Sequence, residues 1–173
     1  PLPYSAPVPS DGVIENTTDL GIEGQVSAIQ PIADDNTAVW QMGDGSNANV
    51  LIMQNTSGID DGHIALVDTD SSVGSDVVVK QDGNLNEAYV SLRGYYNNGL
   101  VKQDGLRNQA KVVVQSGGHY NDLRVMQMGN DNISVVKALG GADSNEADIN
   151  VVGNSNTTYT EFDDKCADYN DVS

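Results

Sequence analysis

Carboxamides at fixed intervals are the residues of this 173-residue chain best placed to do chemistry together. Gln81, Gln103 and Gln127 each stand two residues before a glycine (Gly83, Gly105, Gly129) and five before an asparagine (Asn86, Asn108, Asn132). Two further on comes a small residue, Ala88, Ala110 or Ser134. An amide is no acid, base or nucleophile at neutral pH. It donates and accepts at once, so amides held at successive levels can hydrogen-bond in an unbroken row. The chemistry on offer is recognition of like by like. The copies lie 22 and 24 residues apart, a period that marks a solenoid or stacked array.

The frame continues on both sides. Val151 lies 24 residues after Gln127 and keeps Gly153 and Asn156 without the glutamine. Gln54 lies 27 before Gln81 and leads through a longer turn to His63, which takes an asparagine position. Gln30 lies 24 before Gln54 and leads to Asn36 with one extra residue in the turn. Six units result, over residues 24–162. The expected amide columns are Gln30, Gln54, Gln81, Gln103 and Gln127, and Asn36, Asn86, Asn108, Asn132 and Asn156. Gly83, Gly105, Gly129 and Gly153 are expected at tight arches, because glycine, and asparagine with it, tolerates positive φ.

Other chemistry has little support. His63 and His119 are the only histidines, with no nucleophile motif or phosphate loop beside them. Asp60, Asp61, Asp68, Asp70 and Asp76 cluster, but the stretch DTDSSVGSDVVV lacks the central glycine and final acid of an EF-hand loop. Cys166 is the single cysteine, so no intrachain disulfide can form. The chain is expected to be no enzyme and to hold no metal or cofactor. Its net charge is −17: residues 1–79 hold twelve acids and no base, residues 80–137 five acids and seven bases, and residues 138–173 eight acids and one base. Acidic ends around a near-neutral middle argue against a nucleic-acid partner. No apolar run approaches the roughly 20 residues of a membrane span, so no membrane insertion is expected.

The elements that would hold these amides alternate with period two, the signature of strands. Two residues before the glutamine position stand Ala28, Ile52, Val79, Val101, Val125 and Ile149, and four before it Val26, Val50, Val77, Gly99, Leu123 and Ala147. Four past the asparagine position come Trp40, Val67, Val90, Val112, Val136 and Thr160, and six past it Met42, Thr69, Leu92, Val114, Ala138 and Phe162. Between these columns fall Lys80, Lys102, Lys111, Arg124 and Lys137, which belong in water. The expected fold is all-β: a β-solenoid of six strand–turn–strand repeats forming two facing parallel sheets, about 10 Å apart. Residues 1–23 are expected to be a flexible tail and residues 163–173 an acidic C-terminal tail. The start without methionine fits a processed mature chain. A buried amide needs a partner, so the outermost amides of each row are expected to await a second chain.

At these residues the sequence resembles the curlin repeat, Q-x-G-x-x-N-x-A followed by three residues and a second Q. The octad is complete at Gln81-Gly83-Asn86-Ala88 and Gln103-Gly105-Asn108-Ala110, and nearly so at Gln127-Gly129-Asn132-Ser134. The second glutamine is replaced by Met42, Thr69, Leu92, Val114, Ala138 and Phe162. The resemblance implies a subunit of curli, the extracellular functional amyloid of Gram-negative biofilms, which polymerises on the cell surface and mediates adhesion and aggregation. It implies a nucleator subunit and an outer-membrane secretion machinery as partners, with residues 1–23 as export tail. Alternative readings are that the chain is itself the minor nucleator, or a monomeric β-solenoid that binds polysaccharide or ice.

Overall fold

Alternating apolar residues make strands whose dry sides face one another, and no helix occurs among the described residues. The computed structural model describes residues 12–16, 25–31, 36–41, 47–56, 62–114, 118–139, 144–162 and 171–172. The chain enters at β1 (Gly12–Asn16). Three strand pairs follow: β2 (Gln25–Pro31) with β3 (Asn36–Gln41), β4 (Asn47–Thr56) with β5 (Ile64–Asp68), and β6 (Ser72–Asn84) with β7 (Glu87–Leu92). After the two-residue β8 (Gly94–Tyr95) come β9 (Asn98–Leu106) with β10 (Gln109–Val114), and β11 (Asp122–Asn130) with β12 (Ile133–Val136). The last pair is β13 (Glu146–Val152) with β14 (Thr157–Thr160), and β15 (Asp171–Val172) ends the series.

Successive long strands fall alternately in two sheets. One has the order β1-β3-β5-β7-β10-β12-β14, the other β15-β13-β11-β9-β6-β4-β2, with β8 beside β6. The pairings are parallel throughout. This is the β-solenoid of two facing parallel sheets that the periodicity predicts, climbing about 4.8 Å per unit. Strands β1 and β15 carry the alternation one step beyond the six units at either end. Residues 1–11 and 163–170, Cys166 among them, lie outside the described residues, as do Asp60 and Asp61.

The core is the set of inward columns. Ile52, Val79, Val101, Val125 and Ile149 stand in register along one sheet, and Val67, Val90, Val112 and Val136 along the other, all buried. Each such side chain contributes about 1.5–3 kcal/mol by leaving water. Gly99 interrupts a column for a packing reason. A Cβ there would come within 3.1 Å of Val90 Cγ1 and 3.3 Å of Leu92 Cδ1, so the facing sheet already fills the space. The outer faces carry ion pairs such as Lys80–Asp82 at 3.4 Å and, between neighbouring units, Arg107–Asp131 at 2.7 Å. These are solvated and hold little of the stability.

One register differs from the expectation. Val26 pairs with Val50, but Ala28 then pairs with Leu51, Gln30 with Met53 and Pro31 with Gln54. The extra residue of this unit is thus a bulge in β2 at Ser27, not an addition to the turn. Its effect is to keep the asparagine five positions after the rung: Pro31 to Asn36, as Gln81 to Asn86. Gln30 consequently stands one step off the glutamine column, and Pro31 takes that level.

Candidate functional site

The glutamine column forms where four consecutive units agree in register: Gln54, Gln81, Gln103 and Gln127 pair level by level along β4, β6, β9 and β11. All four side chains are fully buried. Gln54 Nε2 donates to Gln81 Oε1, Gln81 Nε2 to Gln103 Oε1 and Gln103 Nε2 to Gln127 Oε1, each at 3.0 Å. The same amide groups tie the two sheets together. Gln81 Nε2 also donates to Ile64 O at 2.9 Å, Gln103 Nε2 to Glu87 O at 2.9 Å and Gln127 Nε2 to Gln109 O at 3.0 Å. Burying an amide without a partner costs about 1–3 kcal/mol, so these rungs remove a penalty as much as they add attraction.

This row does not run to the tip, contrary to the expectation of an outermost glutamine awaiting a second chain. Val151 occupies the next level, 5% exposed, and offers no acceptor. Gln127 instead donates to Ser134 Oγ at 3.0 Å, inside its own unit. Ser134 thereby ends the ladder.

The asparagine column is longer in effect. Asn108 Nδ2 donates to Asn86 Oδ1, Asn132 Nδ2 to Asn108 Oδ1 and Asn156 Nδ2 to Asn132 Oδ1, each at 3.0 Å, and the backbone N–H of each donor residue reaches the same oxygen. The amides therefore donate toward the N-terminal units, opposite in sense to the glutamines. The second hydrogen of Asn86, Asn108 and Asn132 goes to the carbonyl of Gly105, Gly129 and Gly153 at 3.0, 2.7 and 2.7 Å. These carbonyls are what a side chain at the preceding glycine would strike. A Cβ on Gly83, Gly105 or Gly129 would lie 2.0–2.1 Å from the next glycine's oxygen, and all three have φ above +100°. Gly153, at φ +118°, meets only Asn156 Nδ2 at 3.3 Å. Glycine and asparagine columns thus lock each other. The asparagines themselves avoid positive φ: Leu85, Arg107, Asp131 and Ser155, one residue earlier, take it at +53° to +57°.

His63 fills the asparagine level below Asn86 as its position implies, and is fully buried. Asn86 N–H donates to its Nδ1 at 3.2 Å, while its Nε2 faces Asn55 O at 3.1 Å. Nδ1 must accept and Nε2 must donate, which fixes the neutral tautomer. Burial lowers the imidazole pKa, and the contact with Asn55 O only partly opposes it. Asn36 stands one residue before Thr37, which pairs with Ile64, so its backbone belongs to the same level as His63. The side chains of Gln30 and Asn36 lie outside the described residues.

A second asparagine column occupies the opposite corner and was not expected. Asn121 Nδ2 donates to Asn97 Oδ1 at 2.9 Å and Asn145 Nδ2 to Asn121 Oδ1 at 3.0 Å, all three residues buried. Ser75 Oγ heads the column by accepting from Asn97 N–H at 3.0 Å. Tyr96, Tyr120 and Ser144 precede these asparagines at positive φ, as in the first corner. Gly94 repeats the glycine contact, with its Cβ position 2.2 Å from Gly118 O. The signal was present in the spacing: Gly83, Gly94 and Gly105, like Asn86, Asn97 and Asn108, recur every 11 residues. Each unit is two similar halves.

The tips carry the other feature with binding capacity. Ile64 N–H donates to Asn86 O, Glu87 to Asn108 O, Gln109 to Asn132 O and Ile133 to Asn156 O, at 2.8–2.9 Å. Thr157 is next in this column, so its N–H is directed beyond the last unit. Among the described residues β14 has no neighbour on that side, and β1 none at the other end of the sheet. In the second sheet β15 pairs only with Glu146 and Ala147, leaving the rest of β13 uncovered among the described residues. No group of His, Cys, Asp and Glu suited to a metal ion occurs among the described residues, and no helix there is long and apolar enough to cross a membrane.

No protein-family model, curated protein or solved structure matches this chain, so its likeness to the curlin repeat rests on the residues and their spacing alone.

Proposed function

We propose that this protein is a structural subunit that adds head to tail into an extracellular fibre of the curli type. The observation that carries the reading is the outer edge of β14, where the N–H of Thr157 continues a column whose every earlier member bonds to the following unit. A strand edge of this kind is a template for another chain. The two tips differ, so addition is heterologous, and stacking along the one axis of the solenoid gives an open filament rather than a ring. The asparagine column supports the same polarity. Asn156 donates both its N–H and Nδ2 to Asn132 Oδ1, as each earlier asparagine oxygen is met by the following unit, so the next acceptor in the row is the amide oxygen of Asn156. Gly12 of β1 shares the asparagine level of its sheet and would meet that oxygen with its backbone N–H.

In this reading the role is structural rather than catalytic, and the fibres form part of a biofilm matrix on a Gram-negative surface. A nucleating subunit and an outer-membrane export channel are the partners that the repeat resemblance supplies. The test is to dilute the chain from denaturant and follow thioflavin fluorescence with and without preformed seeds, with electron microscopy of the product. Seeds are expected to abolish the lag and filaments to appear. A chain that sediments as a monomer at every concentration, with or without seeds, overturns the reading.

A further inference from the structure

The corner between β8 and β11 carries stacked aromatic rings that the ladders do not use. Tyr96 lies over Tyr120 with ring centroids 5.3 Å apart and planes 9° from parallel. Its other face rests on Gly74, where even a Cβ would come within 2.6 Å of the ring. Both phenols face solvent, at 50% and 62% exposure. Beside them Tyr95 stacks on His119 at 4.9 Å.

We propose that Tyr96 and Tyr120 form an oxidative cross-linking site, at which hydrogen peroxide acting through a one-electron oxidant joins the two phenols as dityrosine. Each phenol loses one electron and one proton to give a tyrosyl radical. The unpaired electron resides partly on the ring carbons ortho to the oxygen, in orbitals perpendicular to the ring. Face-to-face stacking points these orbitals at each other, so the first carbon–carbon bond forms between the rings. Transfer of the two ortho protons to the carbonyl oxygens of the coupled dienone restores both rings as phenols. One peroxide takes up the two electrons and two protons and leaves as two waters.

Among the described tyrosines, the surroundings favour this reaction at one pair. Tyr95 has an imidazole, not a phenol, against its face. Lys111 Nζ stands 5.3 Å from the Tyr89 ring centroid and Lys137 Nζ 5.0 Å from that of Tyr159. A cation over a ring stabilises its π electrons and disfavours removing one. Among the described residues, no other two tyrosine rings stack. Tyr96 and Tyr120 belong to successive units, so the bond would fasten one level to the next and restrict the unfolded chain as a disulfide does.

The experiment treats dilute, monomeric full-length chain with a haem peroxidase and hydrogen peroxide. The expected product shows dityrosine fluorescence, remains a single chain under denaturing conditions, and yields one peptide pair joined at Tyr96 and Tyr120 with two hydrogens lost. Tyr96→Phe and Tyr120→Phe keep both rings but lack the phenolic hydrogen, and each is expected to abolish that product. Tyr89→Phe and Tyr95→Phe are expected to leave it intact, and urea-unfolded chain to lose the selectivity. Cross-links spread over all tyrosines, or a yield unchanged in Tyr96→Phe or in urea, overturn the proposal.

Discussion

Gln127 Nε2 donates to Ser134 Oγ at 3.0 Å, in a column that is alanine at the three preceding levels, Ala65, Ala88 and Ala110. The hydroxyl stands where the glutamine row stops, and Val151 stands where the next glutamine would be. The two departures from the repeat therefore compensate one another. Ser134→Ala is expected to destabilise the chain by about 1 kcal/mol, the net worth of one buried hydrogen bond. Adding Val151→Gln to it should restore much of the loss by giving Gln127 its ladder acceptor. Urea unfolding of the two single variants and the double variant reads this directly, and purely additive losses would sink the idea of compensation.

His63 makes stability sensitive to mild acid. Its buried Nδ1 accepts from Asn86 N–H, so a proton there would set two donors against each other. The folded pKa lies below the ordinary 6.5 because of burial, and the folded chain therefore binds fewer protons than the unfolded one. Its contribution is complete above the unfolded value and is lost as pH falls from about 6.5 toward the lowered folded value, with a slope no steeper than about 1.4 kcal/mol per pH unit. His63→Asn should flatten that part of the profile and leave the carboxylate titration at lower pH in place. Parallel profiles for both proteins would show that His63 is not the cause.

The arch glycines should not be equivalent. At Gly105 an added Cβ meets the Gly129 carbonyl at 2.0 Å, and that oxygen is held by Asn108 Nδ2. Gly105→Ala is expected to cost about 3 kcal/mol or more, through positive φ and displacement of the neighbouring level. Gly153→Ala meets only an amide nitrogen at 3.3 Å and should cost about 1–2 kcal/mol, mostly from φ. Thermal unfolding of both variants checks the order; equal losses would contradict the interlocking of the columns.

Charge should govern the rate of assembly. Head-to-tail addition brings the N-terminal region, with twelve acids and no base before residue 80, against the C-terminal region of eight acids and one base. Such charges repel over about 10 Å at roughly 0.1 M salt. Seeded elongation is expected to quicken with added salt or on mild acidification. Rates indifferent to both would exclude electrostatic control of the tips.

Much of this arrangement was legible in the residues because a parallel stack copies one level onto the next. Period two assigned the faces, and fixed spacing from Gln81 to Gln127 assigned the rungs. The level of Gln30 cannot be read from sequence, because an insertion looks the same whether it lengthens a turn or bulges a strand; the pairing of Pro31 with Gln54 decides it. The Asn97, Asn121 and Asn145 column is masked by the 22–24-residue period of the full octad, because the intervening half-turn of about 11 residues carries the asparagine without the glutamine. Positive φ at Leu85 and Arg107 was not foreseeable from propensity, since tertiary stacking forces it on residues that tolerate it poorly.

The edge of β14, which has no neighbour on its outer side among the described residues, is the heart of this reading, and Thr157→Pro tests it most directly by removing the one N–H that continues the column beyond Ile133. Folded variant is added in small proportion to wild-type monomer elongating on wild-type seeds. The variant is expected to join through its other tip and then to terminate growth, lowering final filament length well below that of wild type alone. Filaments of unchanged length, with the variant incorporated along them, would contradict it.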